Sequence, residues 1–277
     1  MITASPLISA ADAFVNRDRI AFIDSTWFLD GSSGYETYQR EHIPSAHFFD
    51  LDAIADQESS LPHMMPTPEQ FSEAVGPMIG DSEHVVIYDA SPLHSAARVW
   101  WTFRTMGFAG VQVLDGGLHA WKERGFPVTR EEPQTRAGTF RASWHPEKVI
   151  DFRAMTAALE TREFCIVDAR PAGRFQGIAP EPRAGLPSGA MPNAINVPMT
   201  ELYQANGKLQ PSDRLREIFE PLQRERDQRI VATCGSGVTA CSILLALSVL
   251  GYENLALYDG SWAEWAMRSN AIIPAPA

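Results

Sequence analysis

The chain has 277 residues, 45% of them hydrophobic and 21% charged, with a formal net charge of −11. That length suits two domains or one large one, and that balance is ordinary for a folded globular protein. The acidic excess argues against nucleic acid or an anionic membrane surface as the main partner, although a local pair of arginines can still take an anion.

The opening stretch, MITASPLISAADAFVNRD, has no basic leader followed by a long apolar run, so no secretion signal is expected. The longest apolar candidate, around Ile243–Leu250, falls far short of the roughly 20 residues a membrane span needs. Three cysteines in a chain of this length make no disulfide framework, which points to a reducing, cytoplasmic setting.

In chain order, Ile20–Asp24 reads as a short apolar strand and Ile43-Pro44 as a turn. A helix is predicted over Pro68–Gly76, a strand over His84–Tyr88, a helix over Ala96–Met106 and a strand over Val111–Leu114. A helix carrying Trp121 follows. The polar stretch 129–148, with scattered Pro and Gly, reads as a linker. The pattern then returns: a strand over Cys165–Asp168, a turn at Met191-Pro192, a helix over Ser212–Leu222 and a strand over Arg229–Ala232. A helix over Val238–Leu250, a strand over Leu255–Tyr258 and a last helix with Trp265 complete it.

The recurrence is visible residue by residue. Asp115 and Asp259, Gly107 and Gly251, and Asp24 and Asp168 are each 144 positions apart, and a Trp stands six places after Asp115 and again after Asp259. Two similar domains are therefore expected, 1–128 and 149–277, joined by the linker 129–148. Strands alternating with helices imply an α/β fold, each half a parallel sheet with helices on both faces.

Ligands of open parallel sheets bind at the carboxyl ends of the strands. TCGSGVTACSILLAL puts Cys234 at such an end, with an apolar helix behind it. Loop N–H groups and the helix N-terminus then point positive charge at the sulfur, the setting in which thiols become nucleophiles in general. Gly235 and Gly237 permit a tight turn, and the loop Gly235, Ser236, Gly237, Val238 and Thr239 can ring a second sulfur held as a persulfide. A merely buried cysteine in a glycine turn has the same spacing. A cysteine phosphatase is disfavoured, because that chemistry wants an arginine closing the loop six places on, where Ala240 stands, and Thr233 replaces a helpful histidine. In the first half the same place, 145 positions earlier, holds Asp89, which cannot carry sulfur. The second half is expected to hold the chemistry and the first to be its partner, with a site between them.

Together, the tandem halves, CGSGVTA, YDGSWAEW and EPRAGL resemble the two-domain rhodanese-type sulfurtransferases over nearly the whole chain. The loop is similar to the 3-mercaptopyruvate branch, whose signature is C-G-S-G-V-T. The thiosulfate-preferring branch differs by basic residues directly after the cysteine. The resemblance implies transfer of sulfur from 3-mercaptopyruvate through a Cys234 persulfide to a thiol acceptor such as thioredoxin, or to cyanide, with release of pyruvate. Arg174 and Arg183 fall on the family's two substrate-binding arginines, and a planar guanidinium suits a carboxylate and ketone. Surface arginines on a long loop are the bland alternative. Pro180 and Pro182 stiffen the segment that holds Arg183. By the same resemblance Asp52, His63 and Ser236 form a proton relay beside Cys234; Ser236 as a small turn residue stays open.

Arg170 reads as a structural partner of Asp168, and His42 as part of a structural turn. Ala190 and Met191 replace the usual His and Ile in a packing turn. Cys165 and Cys241 read as inert small hydrophobes. Trp262 follows a strand end and is a candidate pocket wall. No cofactor or metal is implied, since no clustered ligand spacing occurs. A thiosulfate:cyanide sulfurtransferase and a non-enzymatic binding module on this fold are the alternatives.

Overall fold

A computed structural model describes residues 5–135, 137–225 and 228–268. It forms two compact units. One comprises Met1–Glu58, Met65–His145 and Tyr203–Leu209, the other Ser59–Met64, Pro146–Leu202 and Gln210–Ala277. Each therefore includes a short segment from the other half of the sequence.

The first unit contains strands β1 (Leu7–Ile8), β2 (Ile20–Asp24), β3 (His47–Phe48), β4 (His84–Tyr88) and β5 (Val111–Leu114). They form one sheet in the order β1-β5-β4-β2-β3, with every pairing parallel. The second contains β6 (Val149–Ile150), β7 (Phe164–Asp168), β8 (Ile195–Asn196), β9 (Arg229–Thr233) and β10 (Leu255–Tyr258), in the equivalent order β6-β10-β9-β7-β8 and again parallel. Central strands are buried along almost their full length, which is why IAFID, VVIY and IVAT read as continuous apolar runs instead of alternating ones. Asp168 sits opposite Thr233 in register, so the loops after β7 and β9 leave the same edge of the sheet.

The repeated tryptophans are core residues. Trp121 packs edge-on against Phe22 and Phe14, and its Nε1 donates to the Pro127 carbonyl at 2.8 Å. Trp265 belongs to the second core with Tyr258, Met191 and Trp262. Met191 and Ala190 are buried, as a packing turn requires. His42 is buried too, with its ring nitrogens 2.9 and 3.0 Å from the carbonyls of Tyr38 and Glu131.

Two helices depart from the expected bounds. The helix at 68 runs on to Ile79, three residues past Gly76, because Val75 and Ile79 are both fully buried and packing outweighs the low propensity of Gly76 and Pro77. It starts on a capping box between Thr67 and Gln70. The helix at 212 stops at Ile218 and a 3-10 stretch covers Glu220–Glu225, since Pro221 has no N–H to give the Glu217 carbonyl and so cannot continue the α-helical ladder. In the first unit, Tyr203 and Leu209 form an antiparallel bridge. The Tyr203 ring stacks on His94 at 3.4 Å, and the Leu209 N–H donates to the Asp115 carboxylate at 2.9 Å. Burial pushes the His94 imidazole down to about 4. Among the described residues, no helix is long and apolar enough to cross a membrane.

Candidate active site

The loop Cys234–Thr239 joins β9 to the helix Ala240–Val249, whose apolar residues are buried on every side through Leu247. Gly237 turns the chain with a φ of 79°. Among the described residues, no protein acceptor meets the N–H groups of Gly235, Ser236, Val238 and Thr239. Four unpaired donors beside a helix N-terminus make a cradle for negative charge. Cys234 lies at its base, 2% exposed, so charge on the sulfur is offset by these dipoles more than by bulk water.

The start of the last helix, Ser261–Arg268, anchors this loop. Trp262 N–H donates to the Cys234 carbonyl at 2.9 Å, Ala263 N–H to the Gly235 carbonyl at 3.0 Å, and the Cys234 N–H reaches Ser261 Oγ at 3.3 Å. Cys241 Sγ donates to the Gly237 carbonyl at 3.3 Å, and both Cys241 and Cys165 are buried.

The arginines come from the loop after β7. Arg170 is fully buried and meets Asp168 with Nε at 3.0 Å and Nη2 at 2.7 Å, so the expected structural pairing is present. Its Nη1 also donates to Glu181 at 2.8 Å, and its guanidinium lies 4.3 Å from the Trp262 ring centre. Burial alone would weaken its hold on the proton, but Asp168 and Glu181 keep it above the ordinary arginine value. Trp262, with Nε1 bonded to the Pro187 carbonyl at 2.8 Å, is thus a wall between this ion cluster and the core.

Arg174, in the short helix Ala172–Phe175, donates through Nε to Glu181 at 3.1 Å and also through Nη2. Its head then meets the cysteine loop: a Cβ on Gly235 would stand 2.9 Å from Arg174 Nη2 and 3.9 Å from Arg183 Nη1. Both expected arginines therefore converge on the residue next to Cys234. Glu181 joins Arg170 to Arg174 with a side chain only 2% exposed. The sole sequence signal for it is an acid between Pro180 and Pro182.

His63 comes from the first half of the sequence but belongs to the second unit. It is nearly buried, holds a left-handed backbone with φ of 60°, and places Nδ1 2.9 Å from Ser236 Oγ. Two members of the expected relay are thus in hydrogen-bond contact. Asp52 lies in the first unit on the short helix Leu51–Ile54, where Trp27 Nε1 donates to its carboxylate at 2.8 Å. Among the described residues, no group of three or more His, Cys, Asp or Glu side chains is placed to hold a metal ion.

Fold and site together define a tandem α/β protein with one cysteine-centred anion cradle. The Rhodanese-like domain matches residues 11–124 and again 151–268, and the chain belongs to that family as two tandem copies. The 3-mercaptopyruvate sulfurtransferase of Homo sapiens is 39% identical over 255 residues, 90% of this chain and 86% of that protein. The protein of the same description from Escherichia coli (strain K12) is 41% identical over 236 residues, 85% of this chain and 84% of its own length. The crystal structure of SseA from Escherichia coli, described as a 3-mercaptopyruvate sulfotransferase with the rhodanese fold, superposes with a TM-score of 0.83 at 36% identity, covering 93% of this chain and 99% of that one.

Proposed function

We propose that the chain is a sulfurtransferase that takes the sulfur of 3-mercaptopyruvate onto Cys234 and hands it to a thiol acceptor such as thioredoxin, or to cyanide. The single observation that carries this reading is the meeting of the Arg174 and Arg183 heads at Gly235, the residue after the thiol. A donor with a carboxylate and ketone held by those guanidinium groups brings its sulfur to the cysteine.

In the reaction the Cys234 thiolate attacks the donor sulfur. An S–S bond forms, the donor C–S bond breaks, and its electron pair leaves on carbon as pyruvate enolate. The enolate takes a proton delivered through Ser236 and His63, in hydrogen-bond contact at 2.9 Å. The orienting carboxylate of that relay is assigned to Asp52 on the family resemblance. The outer sulfur of the persulfide is held by the loop N–H groups of Gly235–Thr239 until a second thiolate attacks it and restores Cys234. Three cysteines, none of them in a disulfide among the described residues, suit a reducing, cytoplasmic setting.

The test is an intact mass after incubation with mercaptopyruvate. One sulfur atom is gained, cyanide removes it, and Cys234→Ser gains none. Turnover by Cys234→Ser at the wild-type rate would overturn the mechanism.

A further inference from the structure

The two halves differ at one backbone position beside the cysteine. Ser261 has a φ of 50°, in the left-handed region, and its counterpart 144 positions earlier is Gly117, with a φ of 56°. At Gly117 only glycine fits, because a Cβ there would stand 2.3 Å from the Asp89 carbonyl oxygen. In the second unit the same backbone conformation carries a whole serine, fully buried. A side chain in that conformation is strained, and glycine would avoid the strain.

The serine has a specific occupation. Its Oγ donates to the Tyr258 carbonyl at 2.9 Å and is the acceptor for the Cys234 N–H at 3.3 Å. On the carbonyl side the two loops are held alike: Leu118 N–H reaches the Asp89 carbonyl at 3.0 Å, and Trp262 N–H reaches the Cys234 carbonyl at 2.9 Å. The second loop adds a tie on the amide side of the nucleophile. Oriented by Tyr258, the hydroxyl presents a lone pair to Cys234 N–H, so both peptide groups flanking the thiol-bearing carbon are fixed.

We propose that Ser261 is a positioning residue for sulfur transfer, holding the backbone of Cys234 so that its thiol stays at the focus of the loop donors. This rests on the sulfurtransferase reading of the same site. Without the hydroxyl, a buried N–H loses its acceptor, and without the Cβ, the loop can settle closer, as the first unit's loop does against Gly117.

The experiment compares full-length wild type, Ser261→Gly and Ser261→Ala by thermal midpoint, steady-state transfer from mercaptopyruvate to cyanide, and the rate of Cys234 alkylation by iodoacetamide. Ser261→Gly relieves the left-handed strain, so its midpoint equals or exceeds that of wild type while kcat falls about tenfold. KM moves less than about twofold, since Ser261 does not touch the donor. Ser261→Ala keeps the strain and loses the hydroxyl, so its midpoint falls while its kcat matches that of the glycine variant. A wild-type kcat in Ser261→Gly, or kcat values that follow the midpoints in the two variants, overturns the proposal. If wild type takes no sulfur from mercaptopyruvate, the donor assignment falls by itself. The alkylation series then decides: slower modification in both variants upholds Ser261, and equal rates overturn it.

Discussion

The carboxylate of Asp89 accepts the N–H of Ala96 at 2.7 Å, across the loop that corresponds to the cysteine loop of the second unit. Its other oxygen accepts Ser91 N–H at 3.3 Å, and Ala90, Leu93 and His94 donate to Thr26 Oγ1, Ser91 Oγ and the Ser91 carbonyl. The first loop thus fills its anion cradle with its own side chain. The second loop replaces that carboxylate with a thiol and leaves four N–H groups open. One fold supports both, because strand, turn and helix are the same and only the occupant differs.

Asp89 makes stability depend on pH. Burial pushes its carboxyl up to about 7, and burial likewise raises Asp24 to about 6. An acid raised above its unfolded value near 3.8 keeps a proton in the folded chain that the unfolded chain has already released. Its contribution is fully present below about pH 4 and is lost as pH rises through 6 and 7. Asp89→Asn removes that dependence, an effect on the order of a few kcal/mol. Thermal melts from about pH 5 to about pH 8 are expected to show a smaller loss of midpoint in the variant than in wild type. Parallel curves would count against an ionisable Asp89.

The contact between His63 and Ser236 predicts coupled losses. Ser236→Ala and His63→Gln each lower kcat with mercaptopyruvate by about 10²-fold to 10⁴-fold, the range for positioned proton transfer. On the proposed relay the two act as one unit, so the double variant loses no more than about threefold beyond the worse single variant. Multiplying losses would mean that the two side chains serve separate steps.

What the sequence discloses, and what it hides, follows from distance. IAFID and IVATC announce strands because burial on both faces writes itself as an unbroken apolar run, and the recurrence at 144 positions discloses the tandem. The cysteine loop is local, so Gly235 and Gly237 give it away. Glu181 is invisible because its partners Arg170 and Arg174 lie 11 and 7 residues away on an irregular loop, where spacing carries no periodicity. Ser261 shows only when set against Gly117, and even then the hydroxyl's target needs coordinates. The end of the helix at Ile79 is likewise decided by burial, against the local pull of Gly76 and Pro77.

Glu181→Gln tests the ion cluster. The substitution keeps the shape but removes the charge that holds Arg174, while Arg170 retains Asp168. Breaking a buried pair in this way costs about 1–3 kcal/mol, softened by the remaining partner. The thermal midpoint is expected to fall by several degrees and KM for mercaptopyruvate to rise about tenfold, with kcat changed less. A lower midpoint with unaltered KM would mean that Glu181 serves folding alone.

Gly235→Ala separates donor binding from folding. Gly235 has no left-handed backbone, so alanine fits its conformation; the obstacle is space, with the new Cβ 2.9 Å from Arg174 Nη2. That nitrogen also holds Glu181, so the arginine yields by loosening its ion pair while the loop stays. The midpoint is expected to fall by less than in Glu181→Gln, since the charges stay, while KM for mercaptopyruvate rises about tenfold. Thiosulfate, which has no carboxylate or ketone for that guanidinium, loses less, so the ratio of kcat/KM for thiosulfate over mercaptopyruvate increases. Equal losses with both donors would show that Arg174 takes a negative charge without regard to the carbon skeleton, and an unchanged KM would remove Arg174 from the donor site.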